Sequence, residues 1–226
     1  MAHQVGGLTA QKVFADAEVA ALAEAACRGD LEAVNRAVHA GANVNGRGLE
    51  GISPLAWALS CENLAGMEAL IRSGADPNRG DDNGTTVVYY AATYHNRELL
   101  ALLLRLGGDP NHMNNSGYTP LEAAMRHYRA TGNIANLELF LEAGADTSVT
   151  NGGGDTVVDI AAMRNQYDLV YRFLQAGYRG DHERLLRYAL TGAIDPSSQQ
   201  ARWRDRVIAE LQGGETATDL EHRDVD

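Results

Sequence analysis

The stretch Ser73-Gly74-Ala75-Asp76-Pro77-Asn78 decides the fold of this chain. Its glycine directly follows an apolar helical pattern, at the position where a left-handed residue commonly ends a helix. Related phrases recur at intervals of 33, 33, 37 and 33 residues, centred on Gly41, Gly74, Gly107, Gly144 and Gly177. A fixed period of this length predicts a stack of small helical units, each burying its apolar face against the next.

A second phrase follows the first four glycines, always in the same phase. It reads Ile52-Ser53-Pro54-Leu55, Thr85-Thr86-Val87-Val88, Tyr118-Thr119-Pro120-Leu121 and Asp155-Thr156-Val157-Val158. The hydroxyls of Ser53 and Thr119 can accept a free backbone N–H of the first helical turn. The proline after each of them suits the first helical position, where no N–H donor is needed. These phrases therefore predict helix starts.

Together, the two phrases resemble the ankyrin family, whose signature is a Thr-Pro-Leu helix start and a Gly-Ala-Asp-x-Asn helix exit. The resemblance covers residues 17–178 and implies an all-α ankyrin-repeat solenoid of five helix-turn-helix repeats joined by hairpin loops. We expect these repeats at 17–51, 52–84, 85–117, 118–154 and 155–178. The remaining segments are expected to be an N-terminal extension (1–16), a C-terminal helical cap (179–212) and a disordered acidic tail (213–226).

The fourth repeat departs from the 33-residue period. It carries four additional residues within Arg126–Ile134. Because this segment lies between the two expected helices, we predict that the inter-helix loop of the fourth repeat bulges.

The charge of the chain narrows the classes of partner. Thirty acidic residues stand against 19 basic ones, which gives a formal net charge of −11. Nucleic acid and anionic membranes both require a positive surface, so we expect neither as a partner. No apolar run approaches the ~20 residues that span a bilayer. The charge suits a protein partner with a basic or mixed surface, or simply keeps the chain soluble.

The sequence offers no constellation for catalysis. Gly46-Arg47-Gly48-Leu49-Glu50-Gly51 matches the dinucleotide pattern, but it follows a helix exit instead of a strand, so its glycines are better explained by a tight turn. The histidines lack two-ligand spacing, and no serine or cysteine lies beside a plausible base. We therefore expect no enzyme, no catalytic residue, no cofactor and no metal.

The two cysteines leave two interpretations open. Cys27 and Cys61 are 34 residues apart and follow the first helices of neighbouring repeats. A disulfide needs Cα atoms within ~7 Å, and adjacent repeats are generally farther apart, although the one-residue offset could close the gap. The alternative is two separate, half-buried thiols. A bridge would indicate an oxidising compartment.

The opening residues show no signal-peptide pattern. We expect the bacterial periplasm if a signal has been removed from the chain, and the cytoplasm otherwise.

Ankyrin proteins bind partners with their hairpin tips and the exposed face of their first helices. Tyrosines at such positions are typical of interface hot spots, because a rigid ring buries area while its hydroxyl finds a polar partner. The position of Trp57 usually points into the core, and Tyr90 is expected to pack between repeats. The resemblance assigns partner binding to Trp57, Tyr89, Tyr94, His95, Tyr118, Glu122, His127, Tyr128, Asp159 and Arg164.

A narrower resemblance concerns three segments, Ala25–Leu31, Asn45–Gly48 and Ser53–Leu59. They look like bacterial ankyrin proteins found with type VI secretion lipase effectors, which are taken to be immunity proteins. The resemblance implies a chain that is monomeric alone and forms a heterocomplex with a phospholipase effector, blocking its active-site entrance. The alternatives are a cytosolic scaffold or regulatory subunit of an unrelated enzyme, and a host-directed secreted effector.

Overall fold

A computed structural model of the protein describes residues 7–213. In this range the regular structure is helical apart from isolated β-bridge residues, which include the pair Thr150 and Thr156, so the predicted all-α class is confirmed. The chain divides into two compact units, with the boundary between Ala145 and Asp146. The predicted disordered tail, except for Gly213, lies outside the described residues.

The first unit is built mainly from pairs of short helices. After a single turn, α1 (Ala10–Val13), the pairs are α2 (Ala17–Arg28) with α3 (Leu31–His39), α4 (Pro54–Ser60) with α5 (Leu64–Arg72), α6 (Val87–Ala91) with α7 (Arg97–Arg105), and α8 (Pro120–Thr131) with α9 (Ala135–Glu142). A 3-10 turn at Leu49–Gly51 precedes α4. Each expected repeat from 17 to 154 thus contains one helix pair; the repeat boundaries themselves stay predictions.

The second unit contains two further pairs. They are α10 (Val157–Met163) with α11 (Tyr167–Gln175), and α12 (His182–Thr191) with α13 (Gln199–Leu211). Phe173 and Val207 are fully buried between them. The side chain of Gln200 accepts hydrogen bonds from the backbone N–H groups of Tyr167 and Asp168, at 2.7 and 3.2 Å, so α13 caps the start of α11.

The predicted helix starts are confirmed where the capping geometry is recorded. Ser53 Oγ accepts from Ala56 N at 3.1 Å, and Pro54 occupies the first helical position of α4. Thr119 and Glu122 form a reciprocal capping box at the start of α8, and Thr156 and Asp159 form another at the start of α10. Each cap satisfies N–H groups that the helix leaves without a partner.

The hairpin loops of the first unit repeat the same tight turn. Backbone N–H groups of Gly48, Asp81 and Asn114 donate to the carbonyls four residues later, at 2.8 to 3.0 Å. Neighbouring loops are joined as well, because Asp82 N donates to Glu50 O at 3.1 Å and Asn115 N donates to Asn83 O at 2.9 Å. The loops therefore stack in register.

Two asparagines fix the spacing between successive repeats. Asn45 donates through Nδ2 to Gly74 O and accepts through Oδ1 from Asp76 N, both at 2.8 Å. Thirty-three residues later, Asn78 donates to Gly107 O at 2.8 Å and accepts from Asp109 N at 2.6 Å. We call these two residues the asparagine ladder. Each amide uses its donor and its acceptor on the next helix exit, so the rise per repeat is set by hydrogen bonds as well as by packing.

The fourth repeat accommodates its additional residues in a helix. Helix α8 has 12 residues, whereas α4 and α6 have seven and five, and it ends at Gly132 in the left-handed conformation. The predicted bulge between the helices is therefore wrong. Extending a helix satisfies the backbone of the extra residues internally, which a bulged loop would not do.

Cys27 and Cys61 are joined by a disulfide, with their Cα atoms 5.4 Å apart. The bond connects the end of α2 to the residue that ends α4. Helices α5 and α2 also lie very close together beside this bond: a Cβ on Gly66 of α5 would lie 1.9 Å from the carbonyl oxygen of Ala26. This close approach explains how cysteines of adjacent repeats come within bonding reach.

None of the helices between residues 7 and 213 is long and apolar enough to cross a membrane.

We expect Asn78→Ala to lower the free energy of unfolding by about 1–3 kcal/mol, because it removes two inter-repeat hydrogen bonds and leaves the Gly107 carbonyl and the Asp109 N–H without their partner. Asn83→Ala is the matched control, since that exposed side chain makes no recorded hydrogen bond in the described part of the chain. Urea unfolding of the two variants checks this; equal midpoints would show that the ladder contributes nothing.

The double variant Cys27→Ala/Cys61→Ala should be less stable than the oxidised protein by roughly 2–4 kcal/mol, since the bond closes a loop of 34 residues in sequence. Reductant should destabilise the wild type by a similar amount and leave the double variant unchanged. Urea unfolding with and without reductant measures both effects. An oxidised wild type with the stability of the double variant would contradict the expectation.

Candidate partner-binding site

A pocket of about 250 Å³ lies between two neighbouring hairpin loops of the first unit, 46–53 and 79–86. Buried apolar side chains line its floor, and the most enclosed are Trp57, Leu59 and Val87. Exposed polar side chains, Glu50, Arg79 and Asn83, also line it. The volume exceeds the ~150 Å³ that holds a benzene ring and falls below the range of ~300–1,000 Å³ typical of drug-sized ligands. The pocket therefore has the size of one large side chain.

Tyr90 forms one wall of this pocket and is held in place by Asp81. The Tyr90 hydroxyl donates to Asp81 Oδ2 at 2.6 Å. Asp81 Oδ1 accepts from the backbone N–H groups of Asn83 and Thr85, at 2.8 and 3.0 Å. Burial raises the pKa of the Tyr90 phenol, and the Asp81 carboxylate raises it further. The phenol stays protonated, so it acts as a donor that rigidifies the loop.

A stack of two tyrosines and one arginine adjoins the pocket. The Arg126 guanidinium donates to the Tyr89 hydroxyl. Arg126 Cζ lies 5.7 Å from the centre of the Tyr89 ring and 4.9 Å from the centre of the Tyr118 ring. The Tyr89 ring meets the Tyr90 ring edge-to-face, with centroids 6.2 Å apart. Pocket and stack thus share one continuous aromatic surface.

A third group of side chains lies where α6 leads into α7. Tyr94 lines the pocket, and its pKa is raised by burial and then by the charge of Glu62. The buried amide of Asn136 donates to the carbonyls of Tyr94 and Ala92, at 2.8 and 3.1 Å, so α9 anchors this turn. The His95 and His127 rings are 5.0 Å apart and nearly perpendicular.

Hairpin loops and first helices together form a surface that we call the hairpin face. It comprises the loops 46–53, 79–86 and 112–119 with helices α4, α6 and α8. The pocket and the tyrosine–arginine stack both lie on it. Of the predicted partner-binding residues, it carries Tyr89 and Tyr128 as half-buried side chains and Tyr118 as an exposed one. His95 is exposed just beyond α6.

Four predicted partner-binding residues are buried, so the expectation that they are exposed contacts is wrong. Trp57 is 2% exposed and packs edge-to-face on Phe14, with centroids 6.2 Å apart. His127 is 8% exposed. Glu122 and, in the second unit, Asp159 are 5% and 1% exposed because each turns back to the backbone N–H of the threonine that begins its helix.

Arg164 directly follows α10 in the second unit and is exposed.

Sequence reasoning missed two residues of the site. Tyr90 was expected to pack between repeats, whereas it lines the pocket and is 40% exposed. The sequence feature that could have indicated this role of Tyr90 is the acidic turn Asp81–Asp82, because Asp81, nine residues before Tyr90, accepts the hydrogen bond of its hydroxyl. Arg126 lies on the seventh residue of α8, a position that the shorter first helix α6 does not have.

The described residues bring together no group of three or more His, Cys, Asp or Glu side chains that could hold a metal ion.

We expect the stability of the protein to decrease as the pH falls below about 6.5, with His127 contributing. Burial lowers the pKa of His127 below its ordinary value of 6.5, and the neighbouring His95 lowers it further. The unfolded chain then binds the proton more readily than the folded one, so the contribution is present above pH 6.5 and lost as the pH falls towards the folded pKa. His127→Gln should reduce this loss in urea unfolding. An NMR titration midpoint for His127 at or above 6.5 would contradict the expectation.

Comparison with known families agrees with the geometry. The family model for ankyrin repeats (three copies) matches residues 22–114 and 66–151, which together span more than half of the chain. No curated protein matches the chain significantly. The matched range contains the asparagine ladder, the pocket and the tyrosine–arginine stack. The chain therefore belongs to the ankyrin-repeat family, whose repeats form protein-binding modules.

Proposed function

We propose that the chain is an immunity protein, which binds a secreted bacterial toxin through the hairpin face and blocks it. The proposed toxin is a phospholipase effector of type VI secretion. The observation that carries the binding role is the pocket of about 250 Å³, with Tyr90 and Tyr94 in its wall and the tyrosine–arginine stack beside it.

The pocket fits a protein partner better than a free small molecule. Its volume suits a single anchoring side chain, and the surface next to it is rich in tyrosine and arginine, the residue types enriched at interface hot spots. The rings are already fixed by hydrogen bonds and ring contacts, so little side-chain entropy would be lost when a partner binds. These features support a rigid, preorganised interface.

The choice of toxin rests on the resemblance of three segments to ankyrin proteins paired with phospholipase effectors. The Cys27–Cys61 disulfide supports this choice, because such bonds persist in oxidising compartments such as the bacterial periplasm. An immunity protein against an effector that attacks phospholipid from the periplasm would have to bind that effector in the periplasm. The alternative, a cytosolic scaffold, predicts reduced thiols and is less consistent with the bond.

The proposed mechanism is steric. A loop at the active-site entrance of the effector, or its lid, places one side chain in the pocket while its flanks lie along α6 and α8. The bound chain then occupies the path that the lipid must take. No covalent chemistry is required of the ankyrin protein, so inhibition should be stoichiometric and reversible.

The test is a liposome-hydrolysis assay of the proposed partner, a type VI secretion phospholipase effector, with increasing amounts of the purified chain. We expect complete inhibition near one equivalent. Ala56→Phe, which fills the pocket, should weaken inhibition at least about ten-fold, because it removes the space for the anchor. Ala65→Phe, on the exposed side of α5, is the matched control and should inhibit like the wild type.

Two outcomes would count against the proposal. A phospholipase that neither binds the chain nor loses activity contradicts the immunity role. Equal inhibition by wild type and Ala56→Phe, with both folded by circular dichroism, would mean that the pocket is not the anchor site.

A further inference from the structure

We infer that the hairpin face recognises an extended segment of the partner that carries a large apolar side chain and, within about four residues of it, an aspartate or glutamate. The apolar side chain occupies the pocket, and the carboxylate binds Arg126. This inference rests on the proposed function, since it assumes that the first unit binds a protein.

The pocket selects an apolar anchor and not a cationic one. Asp81 is the half-buried carboxylate of its lining, and both of its oxygens already accept hydrogen bonds, from two backbone N–H groups and from the Tyr90 hydroxyl. A lysine or arginine would have to displace those donors. The floor is hydrocarbon and indole, from Trp57, Leu59 and Val87. The pocket therefore favours an apolar group.

Arg126 supplies the positive charge of this surface. Its side chain is exposed, and it takes part in no ion pair recorded within residues 7–213. One of its N–H groups is used by the Tyr89 hydroxyl, which leaves further donors of the guanidinium fork for a ligand. The rings of Tyr89 and Tyr118 hold the guanidinium in place. A preorganised guanidinium matches a carboxylate with two parallel hydrogen bonds.

The other charges near the pocket do not reverse this preference. Arg47 and Asp82 pair with each other at 2.6 Å, and Asp81 is occupied as described. Glu50 and Arg79 both line the pocket, and their charges are opposite. The net charge of −11 belongs to the whole chain and not to this surface. The partner segment therefore complements the local positive charge of Arg126 although the chain as a whole is acidic.

The spacing of the two groups follows from the shared aromatic surface. The centre of the Tyr89 ring is 6.2 Å from that of Tyr90, which lines the pocket, and 5.7 Å from Arg126 Cζ. An extended chain advances about 3.3–3.6 Å per residue. The anchor and the carboxylate are therefore at most about four residues apart in the bound segment.

The test uses a random-peptide display library, selected against the full-length oxidised chain. We expect the enriched peptides to share a large apolar residue and an aspartate or glutamate at the stated spacing. Synthetic versions should bind about 10- to 100-fold less tightly when their acid is changed to the amide, as expected for a hydrogen bond between charged groups. Arg126→Gln should abolish the preference for acid over amide, and Arg126→Lys should restore it only in part.

Arg105→Gln is the matched control, because Arg105 is an exposed arginine of the second helix α7, outside the hairpin face. It should leave affinity and acid preference unchanged. Selection of basic peptides, selection of no peptide, or acid-containing peptides that bind Arg126→Gln as tightly as the wild type would each overturn the inference. If such peptides still lose binding to Ala56→Phe, the pocket remains a protein-binding site, and the liposome assay decides the proposed function separately.

Discussion

The asparagine ladder is the constraint from which the hairpin face follows. Asn45 and Asn78 make the same pair of hydrogen bonds to the next helix exit, 33 residues apart. These bonds set the rise between repeats, and the loops that follow are brought into register, with Asp82 N on Glu50 O and Asn115 N on Asn83 O. Small, buried residues in the first helices, Ala26, Ala58, Ala91 and Ala124, allow this spacing. A pocket can form between two hairpins because their separation is fixed.

The site arises where the regular pattern is broken. The repeated phrases determine the helices and loops, whereas Tyr90 supplies a wall of the pocket and Arg126 supplies the positive charge beside it. Arg126 reaches the Tyr89 and Tyr118 rings from the seventh position of α8, which the five-residue helix α6 does not have. The Cys27–Cys61 bond joins the first two repeats, on the N-terminal side of the pocket. Trp57 lies in the same buried apolar cluster as Cys27 and Phe14.

Much of the fold could be predicted from the sequence, because the period, the helix starts and the glycine exits are local signals. The site could be predicted less well. Glu122 and Asp159 are polar and lie on first helices, yet their carboxylates accept hydrogen bonds within capping boxes. The threonine three residues before each of them could have indicated this role. Whether Tyr89 or Tyr90 faces the pocket depends on the rotation of a five-residue helix, and the contact between Arg126 and Tyr89 spans 37 residues of sequence.

The central claim is that a partner occupies the hairpin face. Hydrogen exchange of the chain, alone and saturated with the phospholipase effector proposed as its partner, tests it most directly. We predict that exchange slows in the loops 46–53 and 79–86 and in helix α6, while the second helices α5, α7 and α9 change little. Slowed exchange confined to those second helices would contradict the claim.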